Sequence, residues 1–252
     1  MSGTVVTAII FFGTERIWRG ELPRLFPRGD LSAVQGPRLN VRARMVAVFL
    51  LMSLVPMAVL SAAAHAGLDE GVAAYNRGDY PTALSEFRPL AEKGDTSAQN
   101  RLGHMYMQGQ GVARDTAAAI ALWRKAADAG HATAQFNLSV AYGIGAGVPR
   151  DAAEAERWLR KSAGQGLPSA QNVLASRFAV GLGVEKDEQL AVAWWRRAAA
   201  QGHAPSQFAL GEAYRSGKGV AQDDQEALYW YRQAAGQGNE SAQEALKRFQ
   251  KR

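Results

Sequence analysis

The sequence predicts an all-α protein built as an array of short helix pairs. Three observations carry that prediction. A unit of 36 residues returns without insertion or deletion, its phase marked by Gly94, Gly130, Gly166, Gly202 and Gly238. A pair of glycines divides each complete unit: Gly109 and Gly111, Gly145 and Gly147, Gly181 and Gly183, Gly217 and Gly219. On either side of the pair, apolar and small residues fall on one helix face, as at Ala98, Leu102, Met105 and Tyr106, then Ala119, Leu122, Trp123, Ala126 and Ala127. Each unit of such an array buries its apolar face only by stacking on a neighbour.

Composition narrows the function. The formal charge of +6 is concentrated at the N-terminal end, where residues 1–66 carry seven arginines against Glu15, Glu21 and Asp30. The repeats are left near +2. They therefore lack the stripe of Lys and Arg that nucleic acid requires, and no nucleic-acid partner is expected. The chain has no cysteine, which excludes disulfides, cysteine nucleophiles, thiolate metal sites and a lipidated N-terminal Cys. An oxidising compartment stays open, because a long array buries enough surface without such staples.

Residues 1–40 are poorly patterned, with Pro23, Pro27, Gly29, Gly36 and Pro37 scattered among arginines. The apolar run from Val5 to Phe12 is too short to span a bilayer. This stretch is expected to be disordered or to precede the true start, with translation beginning near Val41.

Residues 41–66 read as a signal peptide. Arg42 and Arg44 precede an uncharged run from Met45 to Leu60, and Ala64-His65-Ala66 supplies the small-residue cleavage site. Cleavage after Ala66 would place the protein in the periplasm or outside the cell, beginning at Gly67. An uncleaved anchor through Met45–Leu60 is the competing reading, and Pro56 with the cleavage site favours processing. Membrane contact is expected only through this segment.

Residues 67–94 form a divergent first unit. Ala83, Phe87 and Ala91 are in phase with Ala119, Trp123 and Ala127, but the connection from Asn76 to Tyr80 is shorter. Tyr75, Gly78, Asp79, Tyr80 and Ala83 resemble the tetratricopeptide pattern. Terminal units of an array are expected to be atypical because they cap an open end.

Four complete units follow: 95–130, 131–166, 167–202 and 203–238. Asp115, Asp151, Asp187 and Asp223 are placed to cap the second helix of each, worth about 1 kcal/mol apiece. Glu154 and Glu226 stand at the spacing of a capping box. The glycine that ends each unit is expected to stop the helix at positive φ. Val112, Val148, Val184 and Val220 are expected to plug the loop into the core. Gln99, Gln135, Gln171, Gln207 and Gln243 repeat in step with Leu102, Leu138, Leu174, Leu210 and Leu246. Residues 239–252 supply a capping helix with a polar end in Lys247, Arg248, Lys251 and Arg252.

The repeated residues resemble the Sel1-like repeat family, relatives of the tetratricopeptide repeat. The shared pattern A-Q-x-x-L-G-x-x-Y-x-x-G-x-G-V is met by Ala98-Gln99, Leu102-Gly103, Tyr106, Gly109, Gly111 and Val112. Its second half, D-x-x-x-A-x-x-W-x-x-x-A-A-x-x-G, is met by Asp115, Ala119, Trp123, Ala126-Ala127 and Gly130. Departures are Ser139 and Ala175 for the helix-packing glycine, Phe178 for Tyr, and Trp158 one position early. The resemblance implies a right-handed α-solenoid of antiparallel helix pairs, first helices lining a concave face. Many bacterial members are secreted or periplasmic adaptors in envelope assembly, exopolysaccharide control or host interaction. Penicillin binding is linked to members with a cysteine pair per unit, a pair this chain lacks.

No catalytic, cofactor-binding or metal-binding set is expected. His131 and His203 share one repeat position after the unit-end glycine and read as turn residues, and His104 stands alone. The G-x-G-V elements lack the lysine and strand context of a phosphate loop. The tryptophans of the second helices fall at core spacing and read as packing. The first-helix positions outside the core differ from unit to unit, as a partner-reading groove would require. They are Asn100, His104 and Met107; Phe136, Val140 and Gly143; Asn172, Ser176 and Ala179; Phe208, Glu212 and Arg215. The leading expectation is a monomeric, non-enzymatic envelope scaffold that binds a protein or peptide in that groove. The alternatives are a cell-wall or β-lactam-directed hydrolase and a membrane-anchored regulator.

Overall fold

The computed structural model describes residues 66–250, and every regular element among them is a helix. Helix α1 spans 66–76. It pairs with α2 (Tyr80–Glu92), followed by α3 (Thr96–Gln108) with α4 (Thr116–Asp128) and α5 (Ala132–Ile144) with α6 (Ala152–Gly164). Next come α7 (Pro168–Val180) with α8 (Glu188–Ala200), α9 (Ala204–Ser216) with α10 (Asp224–Gly236), and the closing α11 (Glu240–Gln250). From α2 to α10 each helix has 13 residues, a rod of about 20 Å. Each packs chiefly on the helix before it and the helix after it, so the chain is a solenoid. Its interior is a succession of local clusters, Leu84–Phe87–Met105 near one end and Ala227–Tyr231–Ala242 at the other. The expected leader and the arginine-rich stretch before it lie outside the described residues. No helix among the described residues is long and apolar enough to cross a membrane.

Local chemistry sets the helix ends. Asp115, Asp151, Asp187 and Asp223 each accept a hydrogen bond from a first-turn backbone N–H, at 2.9 Å from Ala118 and 2.8 Å from Leu190, for example. At the far end of α5, Gly145 adopts φ 76° and its N–H donates to the Ala141 carbonyl. The unit-end glycines are likewise at positive φ, Gly130 at 94°. Val112, Val148, Val184 and Val220 pack half-buried against the core, as expected.

The capping boxes do not form. The N–H of Asp151 already donates to the Tyr142 carbonyl at 2.9 Å, and that of Asp223 donates to Tyr214. With no donor left to reach, Glu154 accepts from the Trp158 indole at 3.1 Å and Glu226 from Trp230 at 3.2 Å. The second helix is thereby tied to the backbone of the first.

The repeated glutamines join one unit to the next. Gln135 is 4 % exposed and donates to the Ala127 carbonyl at the end of the preceding second helix, 3.1 Å away. Gln99, Gln171 and Gln207 do the same for Ala91, Ala163 and Ala199. Each amide adds a second donor to a C-terminal carbonyl that already accepts the N–H of the unit-end glycine, as Ala127 does from Gly130 at 3.0 Å. The amide oxygens of Gln135, Gln171 and Gln207 accept from Gln165, Gln201 and Gln237 in their own units.

Candidate partner-binding groove

The outward positions of the first helices do not form one uniform surface. Asn100 and His104 border a cavity of about 280 Å³ with Tyr75 and Asn137. Asn100 Oδ1 accepts from Asn137 at 3.0 Å, and the His104 ring shares a 3.2 Å hydrogen bond with the Tyr75 hydroxyl. Asn172 Oδ1 accepts from Ser206 at 2.9 Å, while Ser176 is exposed and donates to the Asn172 carbonyl. The two asparagines therefore brace successive first helices as well as facing outward.

Phe136, Val140 and Gly143 border a cleft of about 780 Å³ between α5, α6 and α7. Ala179, Glu212 and Arg215 border another of about 350 Å³. Met107 and Phe208 lean half-buried on core clusters, Phe208 with its ring centroid 5.9 Å from Tyr231. Phe136 also packs partly on the core through its contact with the α7 cluster.

Glu212 is the most strongly engaged ionisable group of the set. Burial pushes its carboxyl up, but hydrogen bonds from Arg215 (2.7 Å) and the Tyr231 hydroxyl outweigh it and hold the carboxyl below its usual range. Burial and the bond to Glu212 push the Tyr231 phenol well up, so this hydroxyl stays protonated and is a poor nucleophile. His131 caps α5, its Nδ1 accepting from the Ala134 N–H at 3.2 Å, and His203 contacts Ser206 at the start of α9. Burial pushes both imidazoles down. Among the described residues, no group of His, Asp and Glu could hold a metal ion.

Trp123 and Trp158 are buried as packing residues, whereas Trp194, Trp195 and Trp230 are only half-buried. The Trp123 indole donates to the Asn100 carbonyl at 3.1 Å across Gly103, where a Cβ would lie 2.7 Å from the ring. Ala175 puts a methyl at the equivalent point, and the Trp195 indole N–H is buried beside the smaller cleft without a partner.

The large cleft also contains residues that the first-helix reading missed. Ile144 and Leu182 are 72 % and 66 % exposed at its edge, and Arg150, Arg157, Arg160 and Arg177 line it together with Glu156, which pairs with Arg160 and Arg177. The missed signal was in the register. Position 156 holds Glu where Leu84, Ile120, Val192 and Leu228 stand in the other units.

Stacked helix pairs with a constant frame and variable outward residues define a helical-repeat binding scaffold. The Sel1 repeat model matches residues 96–131, 132–167, 168–203 and 204–239, more than half of the chain and one residue out of step with the glycine phase. The chain belongs to the Sel1 repeat family, whose members are in general protein–protein interaction scaffolds on a typically non-catalytic fold. It is similar to the crystal structure of a Sel1 repeat protein from Oxalobacter formigenes, with 34% identity and a TM-score of 0.64 over 68% of this chain and 50% of that one. It is also similar to a protective antigen of uropathogenic Escherichia coli displaying the same fold, with 34% identity and a TM-score of 0.63 over 76% of this chain and 42% of that one. The chain thus spans half or less of the length of these two structures. An immunity protein from Pseudomonas aeruginosa aligns at 25% identity and a TM-score of 0.52, over 71% of this chain and 67% of that one. No curated protein matches the sequence.

Proposed function

We propose that this protein is a non-enzymatic scaffold of the bacterial envelope that binds a protein or peptide on the face formed by its first helices. One observation carries the reading. Val140 and Ile144 stand 43 % and 72 % exposed on α5 beside the cleft of about 780 Å³, with Leu182 66 % exposed at its edge, and Val180, 71 % exposed at the end of α7, borders the smaller cleft. Contiguous exposed apolar surface next to a concavity marks an interaction site. The predicted residues Asn100, His104, Val140, Ser176, Glu212 and Arg215 extend that face along the array.

Capture from an envelope extract tests it. The wild type is expected to recover a partner that a Val140→Lys, Ser176→Arg variant loses at unchanged Tm. Undiminished recovery by the folded variant would remove this face from the proposal. Periplasmic or secreted placement rests on the charged flank, apolar run and cleavage site of residues 41–66. N-terminal sequencing of the mature protein is expected to begin at Gly67. Recovery solely in the membrane fraction would favour an anchor through Met45–Leu60. A labelled penicillin is expected not to attach, and covalent labelling would contradict the absence of catalysis.

A further inference from the structure

Four junctions join one helix pair to the next, and the same two positions close each of them. One position lies on the second helix of a unit and the other on the following first helix. Leu84 and Met105 share a buried cluster at the first junction, Ile120 and Ala141 at the second, and Val192 and Ala213 at the fourth. At the third junction the pair is Glu156 and Arg177, with Arg177 Nη1 2.5 Å from Glu156 Oε2. Both members of an apolar seal are replaced together, and by opposite charges.

Two further departures fall at the same place. The hydroxyls of Tyr142 and Tyr214 accept from Arg124 and Arg196 across their junctions. Their counterpart Phe178 has no hydroxyl. The matching Arg160 lies 5.5 Å over the Phe178 ring, much as Arg124 and Arg196 lie 5.6 Å over theirs, but its Nε stands 2.7 Å from Glu156 Oε1, an oxygen that is buried but not aligned for a hydrogen bond. The loop contact is also missing. A Cβ on Gly147 would meet Thr116 at 3.0 Å and one on Gly219 would meet the Glu188 carbonyl at 2.1 Å, but one on Gly183 would meet nothing within 4 Å. The cleft of about 780 Å³ fills that gap.

Aliphatic side chains often stabilise such a site as well as, or better than, an ion pair held away from water. Stability therefore gives no reason for Glu156 and Arg177. We propose that this third junction is the seat for one segment of the partner: a peptide presenting a large apolar side chain beside one or more carboxylates. The proposal rests on the scaffold reading above and deepens it. Phe136 and Val140 offer the guest an apolar floor, and Ile144 and Leu182 offer an exposed ledge. The ledge is confined to the middle of the array, since Gln108 and Ser216 occupy the place of Ile144 in the outer units. Charge complementarity selects the carboxylate. Arg150 is exposed and makes no ion pair among the described residues, while Arg160 retains N–H groups that its relatives give to a tyrosine. A guanidinium with free N–H groups recognises a carboxylate through paired hydrogen bonds.

The test is an anisotropy titration of the full chain with a fluorescein-labelled octapeptide that carries a Leu-Leu pair flanked by glutamates. Two control peptides replace Glu with Lys or Leu with Ser. The first peptide is expected to saturate the wild type, with Kd at least tenfold higher for either control. A tenfold loss is likewise expected with Arg150→Glu and with the double variant Glu156→Val, Arg177→Ala, which rebuilds the Val192–Ala213 seal and should hold or raise Tm. No saturable binding, equal binding of all three peptides, or an unchanged Kd in the stable double variant would overturn the proposal. Should the double variant fail to fold, Arg150→Glu decides alone, and unchanged affinity overturns. A wild-type dimer that Arg150→Glu disperses in sedimentation would place a second copy in the cleft, and that also overturns it. If cleft variants still capture the envelope partner, the seat falls and the scaffold stands. If the wild type captures nothing, both fall.

Discussion

Gln135 shows how much one side chain contributes when its partners lie in two different helices. It closes the Ala127 carbonyl of one unit and accepts from Gln165 in its own. Gln135→Ala removes the second donor to the Ala127 carbonyl, which keeps the Gly130 N–H, and leaves the exposed Gln165 amide to water, so about 0.5–1.5 kcal/mol of stability is expected to be lost in chemical denaturation. His131 gives a pH-dependent case. Burial holds its folded pKa below the ordinary imidazole value of 6.5. The unfolded chain therefore binds the proton first as pH falls. Stability is unaffected above that value and declines as pH drops through it toward the folded pKa. Protonation also removes the Nδ1 acceptor that caps α5. His131→Asn keeps a capping oxygen, so its denaturation midpoint is expected to be flatter between pH 7 and 5. The aspartate caps were legible because a cap depends on its own next three residues. The failed capping boxes and the glutamine bonds were not, because both depend on a neighbouring helix.

Among the elements, the connecting loops report how closely neighbouring units approach. Gly183 and Gly219 share a repeat position and a positive φ, 74° and 69°. Alanine at either position should cost roughly 1–2 kcal/mol for its left-handed backbone alone. At Gly219 the new methyl would also lie 2.1 Å from the Glu188 carbonyl, whereas at Gly183 the space is open. Gly219→Ala is therefore expected to lower the denaturant midpoint clearly more than Gly183→Ala. Equal losses would mean that the third junction is closed like the fourth. Helix number, length and pairing were legible from the 36-residue register, because the same spacing is enforced in every copy. The cleft was not legible at the outward first-helix positions, because its charge sits at a second-helix core position. Setting Glu156 beside Ile120 and Val192 would have exposed it.

The whole molecule separates a constant frame from a variable surface. Caps, glycine turns and the glutamine ladder recur through the array and hold it together. Val140, Ile144, Val180 and Leu182 do not recur in the outer units, and they are exposed. Predicted positions such as Met107 and Phe208 were legible as first-helix residues, but both are partly buried against core clusters that a single helix does not reveal. If function resides in the deviations, erasing them should leave the frame untouched. The most direct measurement is partner capture by the variant Ile144→Gln, Val180→Ser, Leu182→Lys, which copies Gln108, Ser216 and Lys218 of the outer units into the middle. The expected result is loss of capture at an unchanged Tm, since the three side chains are solvent-exposed. Full capture by the equally stable variant would contradict it.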